Sequence, residues 1–381
     1  MSENSNTERI RFELHSNLII VPLKINGTTL KFILDSGTKQ NLLLDKTMVS
    51  IIDTINLRSI QISGLGNNSN ILAFISSKNK IELGNLFDHD SEMMILANID
   101  LDLSSKIGTT IHGILGIDAF KNYLVEINYN SSTLIFRKNI TKRILKKFKP
   151  KDIEIDRDKF FIKANPEMDS MYSNLKFLID TGNSDAIWLF DNKKLKINYP
   201  KKYFEEILGV GIGGDITGKK SKIKSFAIDG YFFKNPIISL PDSSSIKNIV
   251  EIYPDRNGSI GGEILKRFVT IFDFKNKKIY LKKSGFYKNP FLYDLSGMTI
   301  FKPYPNIPFF EIYSIRKNSP AYFADIRKGD ILTEINNHKV FDLDLDTIIQ
   351  TFKEKKDKKI SITIERNGNL LHKKFVLQDF L

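Results

Sequence analysis

Leu30-Lys31-Phe32-Ile33-Leu34-Asp35-Ser36-Gly37 returns, 145 residues later, as Leu175-Lys176-Phe177-Leu178-Ile179-Asp180-Thr181-Gly182. A second pair keeps the same offset: Gly113-Ile114-Leu115-Gly116 stands against Gly258-Ser259-Ile260-Gly261. The apolar pattern then runs on in step through Leu134-Ile135-Phe136 and Ile279-Tyr280-Leu281, and Gly64 and Gly209 share the offset too. One such coincidence is cheap, but several at a single offset mean an internal duplication. The chain contains two related lobes.

Both lobes read as β. Short runs rich in Ile, Val, Phe and Tyr alternate with turns of Asn, Gly and Asp, and helical periodicity is scarce. Leu18 to Asn26 and Thr29 to Asp35 form an expected hairpin closed by Asn26-Gly27. Tyr123 to Phe136 and Phe268 to Leu281 are its expected counterparts at the end of each lobe. Beyond about Asn289 the pattern changes to strands at Phe309 to Ile315 and Ile331 to Ile335, a helix at Leu343 to Lys353, and closing strands around Asn367-Gly368. The expected domains are therefore 1–147, 148–288 and 289–381, with a linker around Lys283 to Pro290.

Composition narrows the chemistry. The 381 residues include 41% hydrophobic and 27% charged side chains, enough for packed cores. With no cysteine, a thiol nucleophile, a disulfide framework and cysteine-ligated metals are excluded. The five histidines are never closer than 23 residues, so no histidine-rich metal site is expected. The net charge of +13 is spread along the whole chain and reads as a basic solvated surface, without a nucleic-acid-binding module. No run approaches a membrane span, and Leu18 to Leu23, with Pro22 inside it, is no signal-peptide core.

An apolar strand ending in Asp, then Ser or Thr, then Gly is a turn that carries chemistry. The strand fixes the backbone, the hydroxyl braces the loop, and Gly allows a partner chain close. One copy would be an ordinary turn closing a strand. Two copies, each followed about 80 residues later by an apolar-apolar-Gly segment, resemble the retropepsin-like and pepsin-like aspartic peptidases. The resemblance covers roughly residues 15 to 285. It implies a mainly β, bilobal fold with Asp35 and Asp180 as the catalytic pair, both encoded in one chain. It also implies that Ser36 and Thr181 brace the loops at Gly37 and Gly182. Thr38 and Asn183 are expected on the outer carboxylate oxygens. Gly64 and Gly66, with Gly209, Gly211 and Gly213, would tip two flaps over a peptide or protein substrate. No metal or organic cofactor is implied.

Residues 289–381 resemble a bacterial PDZ domain, a small α+β fold, through Ser319-Pro320-Ala321, Ala324-Asp325-Ile326, Gly329-Asp330-Ile331-Leu332, Ile335-Asn336-Asn337 and Ile364-Glu365-Arg366-Asn367-Gly368. Asp325 and Asn337 stand where that family usually has Gly; both residue types tolerate a left-handed turn. The segment Tyr304 to Phe309, expected to hold a carboxylate-binding loop, lacks a Gly-apolar-Gly-apolar signature. The combination implies a peptidase with a recruiting or gating PDZ domain, exported from the cytoplasm. The competing reading is an inactive peptide- or partner-binding protein on the same fold. Three other patterns are set aside. Gly209 to Gly214 fits a dinucleotide loop but is followed by no helix, and Asp342, Asp344 and Asp346 lack the glycine and glutamate of a calcium loop. His112 reads as a surface loop residue.

Overall fold

The computed structural model describes residues 7–66, 71–97, 101–192 and 196–381. They form two compact units. The first comprises residues 1–101, 111–201 and 207–290, and the second residues 102–110, 202–206 and 291–381.

In the first unit each lobe is built around the repeated strand. Leu18–Ile25 and Thr28–Leu34 pair antiparallel across Asn26 and Gly27, both at positive φ (45° and 95°). Thr28–Leu34 then lies parallel to Gly113–Leu115, with Leu34 opposite Leu115. The second lobe repeats this: Leu175–Ile179 is parallel to Arg256–Ile260, with Ile179 opposite Ile260. A Cβ at Gly113 would run into the Leu42 carbonyl and the Phe32 ring, and one at Gly258 into the Trp188 carbonyl. The crossing strands can pass this close only as glycine, which is the physical reason for the second repeated motif.

A shared sheet joins the lobes. Its strands run in the order Thr7–Arg11, Thr133–Arg137, Leu124–Asn128, Phe268–Asp273, Lys278–Lys283, Lys149–Asp152. The lobes meet where Leu124–Asn128 pairs with Phe268–Asp273. Phe136, Phe160, Phe268 and Phe272 are fully buried, and Phe160 packs on Phe272 at 5.3 Å between ring centroids. Burying such rings contributes roughly 2–3 kcal/mol each.

Two reciprocal clamps also tie the lobes together. The tight turn Ser16-Asn17 (φ 47° and 68°) reaches the second lobe, where Asn17 donates to the Ser184 carbonyl and to Glu263 and accepts from Lys266. The matching turn Arg157-Asp158 (φ 48° and 64°) reaches the first lobe, where Asp158 pairs with Lys39 at 2.9 Å and Lys121 at 3.3 Å. Lys39 and Lys121 stand 145 residues before Ser184 and Lys266.

In the second unit, strands Met298–Phe301, Phe310–Ile315, Ile331–Ile335, Lys359–Arg366 and Asn369–Val376 pair in that order. Helix Leu345–Lys353 is capped by Asp344, whose carboxylate accepts from the Thr347 N–H. Asp344 thus serves the helix, with Asp346 in its first turn. Asp325 and Asn337 are left-handed (φ 54° and 66°). The unit also holds two pieces that a cut at residue 289 leaves with the lobes. In 102–110, helix Leu103–Ile107 accepts the Lys302 N–H at the Ser105 carbonyl, and Gly108 lies against Leu345. In 202–206, the Phe204 ring sits 3.7 Å from the Arg316 guanidinium.

Candidate active site

Two loops bring the repeated aspartates together. The Asp35 N–H donates to the Leu115 carbonyl at 2.9 Å and the Asp180 N–H to the Ile260 carbonyl at 3.0 Å. Each crossing strand therefore anchors its own loop. The hydroxyls then interlock: the Ser36 N–H donates to Thr181 Oγ1 (2.9 Å) and the Thr181 N–H to Ser36 Oγ (3.0 Å). Ser36 Oγ–H donates onward to the Ile179 carbonyl (2.7 Å) and Thr181 Oγ1–H to the Leu34 carbonyl (2.8 Å). All four bonds are buried and cross between lobes, so each loop fixes the other.

The carboxyl groups of Asp35 and Asp180 are within hydrogen-bonding reach of each other. The Gly37 N–H donates to Asp35 Oδ1 (2.6 Å) and the Gly182 N–H to Asp180 Oδ1 (3.2 Å). A Cβ at Gly37 would sit 2.9 Å from Asp180 Oδ1, and one at Gly182 would strike the Asp35 carboxyl. Thr38 and Asn183 are placed otherwise than the sequence suggests. Thr38 makes no hydrogen bond to either carboxyl among the described residues; its carbonyl accepts from the Ile117 N–H. Asn183 turns its Oδ1 to the Asp185 N–H (3.0 Å), closing a local turn of the kind Asn favours.

Burial sets the protonation of the pair. Desolvation first, and the Asp180 charge second, push the Asp35 carboxyl up to about 7. Burial also raises Asp180, but there Arg256 and then Lys159 oppose it, and the Gly182 N–H adds to them. Asp180 is thereby placed to hold the negative charge and Asp35 the proton. Sequence reasoning missed both cations. Lys159 opens the strand Lys159–Glu167, two residues before Phe161, which pairs with Leu178 two residues before Asp180. In the first lobe the equivalent hairpin position is Leu18, and the residue 145 before Arg256 is Ile111. Aligning the lobes hairpin by hairpin, and noting each charge that replaces an apolar residue, is the signal that finds them.

The glycines expected at the flap tips also meet. Tyr203–Gly211 and Gly214–Lys222 form one hairpin, so Gly209 to Gly214 is a β tip with no helix after it. Gly66 bridges Gly213, and the Gly213 N–H donates to the Leu65 carbonyl at 2.8 Å. A Cβ at Gly211 would strike Leu65, and one at Gly64 would be 3.4 Å from Ile212. Leu65 packs against buried Phe161, Leu178 and Tyr253 on one cluster and Trp188, Leu208 and Ile216 on another.

Other features carry less chemistry. His112 is half-buried and structural, its Nδ1 accepting from the Lys31 N–H (3.0 Å). A surface hollow lined by Lys151, Glu154, Lys176 and Asp229 contains neither aspartate, and its charges pair with each other. Among the described residues no group of three or more His, Asp or Glu side chains is arranged to hold a metal ion, and no helix is long and apolar enough to cross a membrane.

Residues 21–119 match the family model described as aspartyl protease, and residues 311–366 match the PDZ domain model. No curated protein matches the chain. Solved structures that match it include the aspartic proteinase from Irpex lacteus, at 12% identity and a TM-score of 0.48, covering 74% of this chain and 99% of that one. The chain thus carries an aspartyl-protease-like region and a PDZ domain on a mainly β scaffold.

Proposed function

We propose that the protein is an aspartic endopeptidase in which Asp35 and Asp180 activate water directly, without a covalent intermediate. The observation that carries this reading is the pairing of two buried carboxyls, one biased toward charge and one toward its proton. Two carboxylates this close cannot both ionise cheaply, so they share one proton. Asp180 takes a proton from the water between them. The water oxygen bonds to the scissile carbonyl carbon as Asp35 passes its proton to the carbonyl oxygen. Asp180 then gives the proton it took to the amide nitrogen as the C–N bond breaks, and a hydroxyl of the intermediate returns a proton to Asp35 as the carboxylic acid product forms. The Gly37 and Gly182 amides steady the inner oxygens throughout. The joined flap tips would part for an extended peptide and close over it, excluding water.

A gating role for the PDZ domain is supported by chain continuity. The strand Tyr203–Gly211 begins within the second unit and ends at the flap tip. The test of the whole reading is cleavage of an unfolded protein such as reduced casein by the full chain, compared with Asp35→Asn and Asp180→Asn. Loss of cleavage by at least a thousandfold in each variant is expected, because the water needs both a base and an acid. Near-normal turnover in either variant overturns the mechanism. Peptide binding without cleavage by the unmodified chain would favour the inactive-binder reading.

A further inference from the structure

Beside the aspartate pair lies a cluster of cations that the mechanism leaves unmatched. Arg256 is only 2% exposed, yet its guanidinium meets neutral acceptors alone: the Gly258 carbonyl at 3.0 Å and Ser259 Oγ at 2.6 Å. Neither Arg256 nor Lys159 has a carboxylate within 4 Å among the described residues. The acids flanking Lys159 are engaged elsewhere, Asp158 with Lys39 and Lys121, Asp156 with Lys176 at 3.9 Å. The Lys159 ammonium stands 5.4 Å from the centre of the buried Tyr253 ring, and the Arg157 guanidinium lies at the same distance from it.

Charge counting makes the imbalance plain. A pair of aspartates sharing one proton carries one negative charge; beside it burial, and then the Arg256 charge, push the Lys159 ammonium below its usual range, and burial pushes Arg256 down to about 10. Buried cations of this kind are costly unless an anion answers them. Leu65, beside the glycines expected at the flap tip, packs against the buried group of Phe161, Leu178, Ile249 and Tyr253, so the cations lie on the side of the site that a closed flap borders. The equivalent places in the first lobe, Leu18 and Ile111, are buried and apolar. Only the second lobe therefore carries charge at these places.

We propose that Lys159 and Arg256, with Tyr253 as the wall, form a subsite for a peptide carboxylate next to the scissile bond. This rests on the peptidase reading and deepens it: the second lobe selects an acid. The carboxylate can come from an Asp or Glu side chain or from the peptide's own C-terminus. An ionised carboxylate on two cations makes charge-assisted bonds that its amide analogue cannot. A preference of about 10- to 100-fold for Glu over Gln at that position follows.

The test digests a proteome-derived peptide mixture with the full-length protein and reads the cleaved bonds by mass spectrometry. Enrichment of Asp and Glu at one fixed position supports a side-chain source. Cleavage at a fixed distance from the chain end, lost on amidation, supports the terminal carboxylate. A matched Glu and Gln peptide pair is then compared on the unmodified protein, Lys159→Met and Lys159→Glu. The Glu-to-Gln ratio of kcat/KM should fall to near one in Lys159→Met, and Lys159→Glu should come to favour a Lys peptide. No acidic preference, or a ratio unchanged in both variants, overturns the proposal. If the unmodified protein cleaves nothing, the peptidase reading fails alone; fluorescence anisotropy with the same peptides still decides whether the subsite prefers Glu.

Discussion

Asp35→Asn should make the protein inactive and, at neutral pH, more stable. The Asp35 carboxyl moves from an ordinary 3.8 in the unfolded chain to about 7 in the fold. Below pH 4 both states hold the proton, and the group contributes nothing to the pH dependence. Between pH 4 and 7 the unfolded chain gives up its proton while the folded one keeps it, so folding is progressively disfavoured. Above 7 the penalty is constant. A shift of about three units at 1.36 kcal/mol each sets a ceiling of about 4 kcal/mol. The proton shared with Asp180 reduces the expectation to about 2 kcal/mol. Asparagine keeps the shape and never ionises, so it escapes the penalty. Thermal unfolding of the unmodified chain and the variant at pH 4 and pH 8 measures this. The midpoints should coincide at pH 4 and differ by about 4–8 °C in favour of the variant at pH 8. Asp180→Asn should gain less, because Arg256 and Lys159 already favour its charge and would lose an anion. An equal gain at both pH values, or none at pH 8, would falsify the argument that burial and charge crowding strain this carboxyl.

Three further outcomes follow from the geometry. Thr181→Val removes a buried hydroxyl that serves the Ser36 N–H and the Leu34 carbonyl; it should cost about 2–4 kcal/mol in urea unfolding, while Thr181→Ser should restore most of it. Gly211→Ala would push a methyl into Leu65 at the joined flap tips; kcat should drop about tenfold or more with the unfolding midpoint little changed, and wild-type kinetics would show that the tips need not meet. Ending the chain at Pro290 removes the partners of helix Leu103–Ile107 and Phe204, so the truncated protein should bind a hydrophobic dye and melt earlier, and an undisturbed melt would show those segments to be self-sufficient.

The parts of the fold written locally were legible in sequence. A strand that ends at Asp, a hydroxyl and Gly repeats its residues because each has a short-range duty, and Gly113 and Gly258 repeat because a crossing strand leaves no room for a Cβ. What escaped depends on pairing between distant segments. Nothing in the local sequence of Lys159 or Arg256 says that each faces an aspartate; the hairpin register and the crossing strand put them there. The membership of residues 102–110 and 202–206 in the second unit is likewise set by tertiary packing around Lys302, Leu345 and Arg316. Asn183 does not serve a catalytic carboxyl because its Oδ1 accepts from the Asp185 N–H two residues along, and that local turn outcompetes a longer reach.

Symmetry and its breaking explain why both halves sit in one chain. The scaffold is symmetric where it must hold the loops: Leu34 faces Leu115 as Ile179 faces Ile260, Ser36 and Thr181 trade bonds, and Asn17 and Asp158 clamp opposite lobes. A perfectly symmetric pair would leave the proton equally on either aspartate. Here the cations are all on one side, with Lys159 where the first lobe has Leu18 and Arg256 where it has Ile111. Two identical subunits could not carry that difference, because any substitution would appear twice. Duplication within one chain lets the lobes drift apart in charge while their backbones stay alike. The same asymmetry that directs the proton to Asp35 leaves a positive subsite on the second lobe, so proton placement and acid selection are consequences of one arrangement.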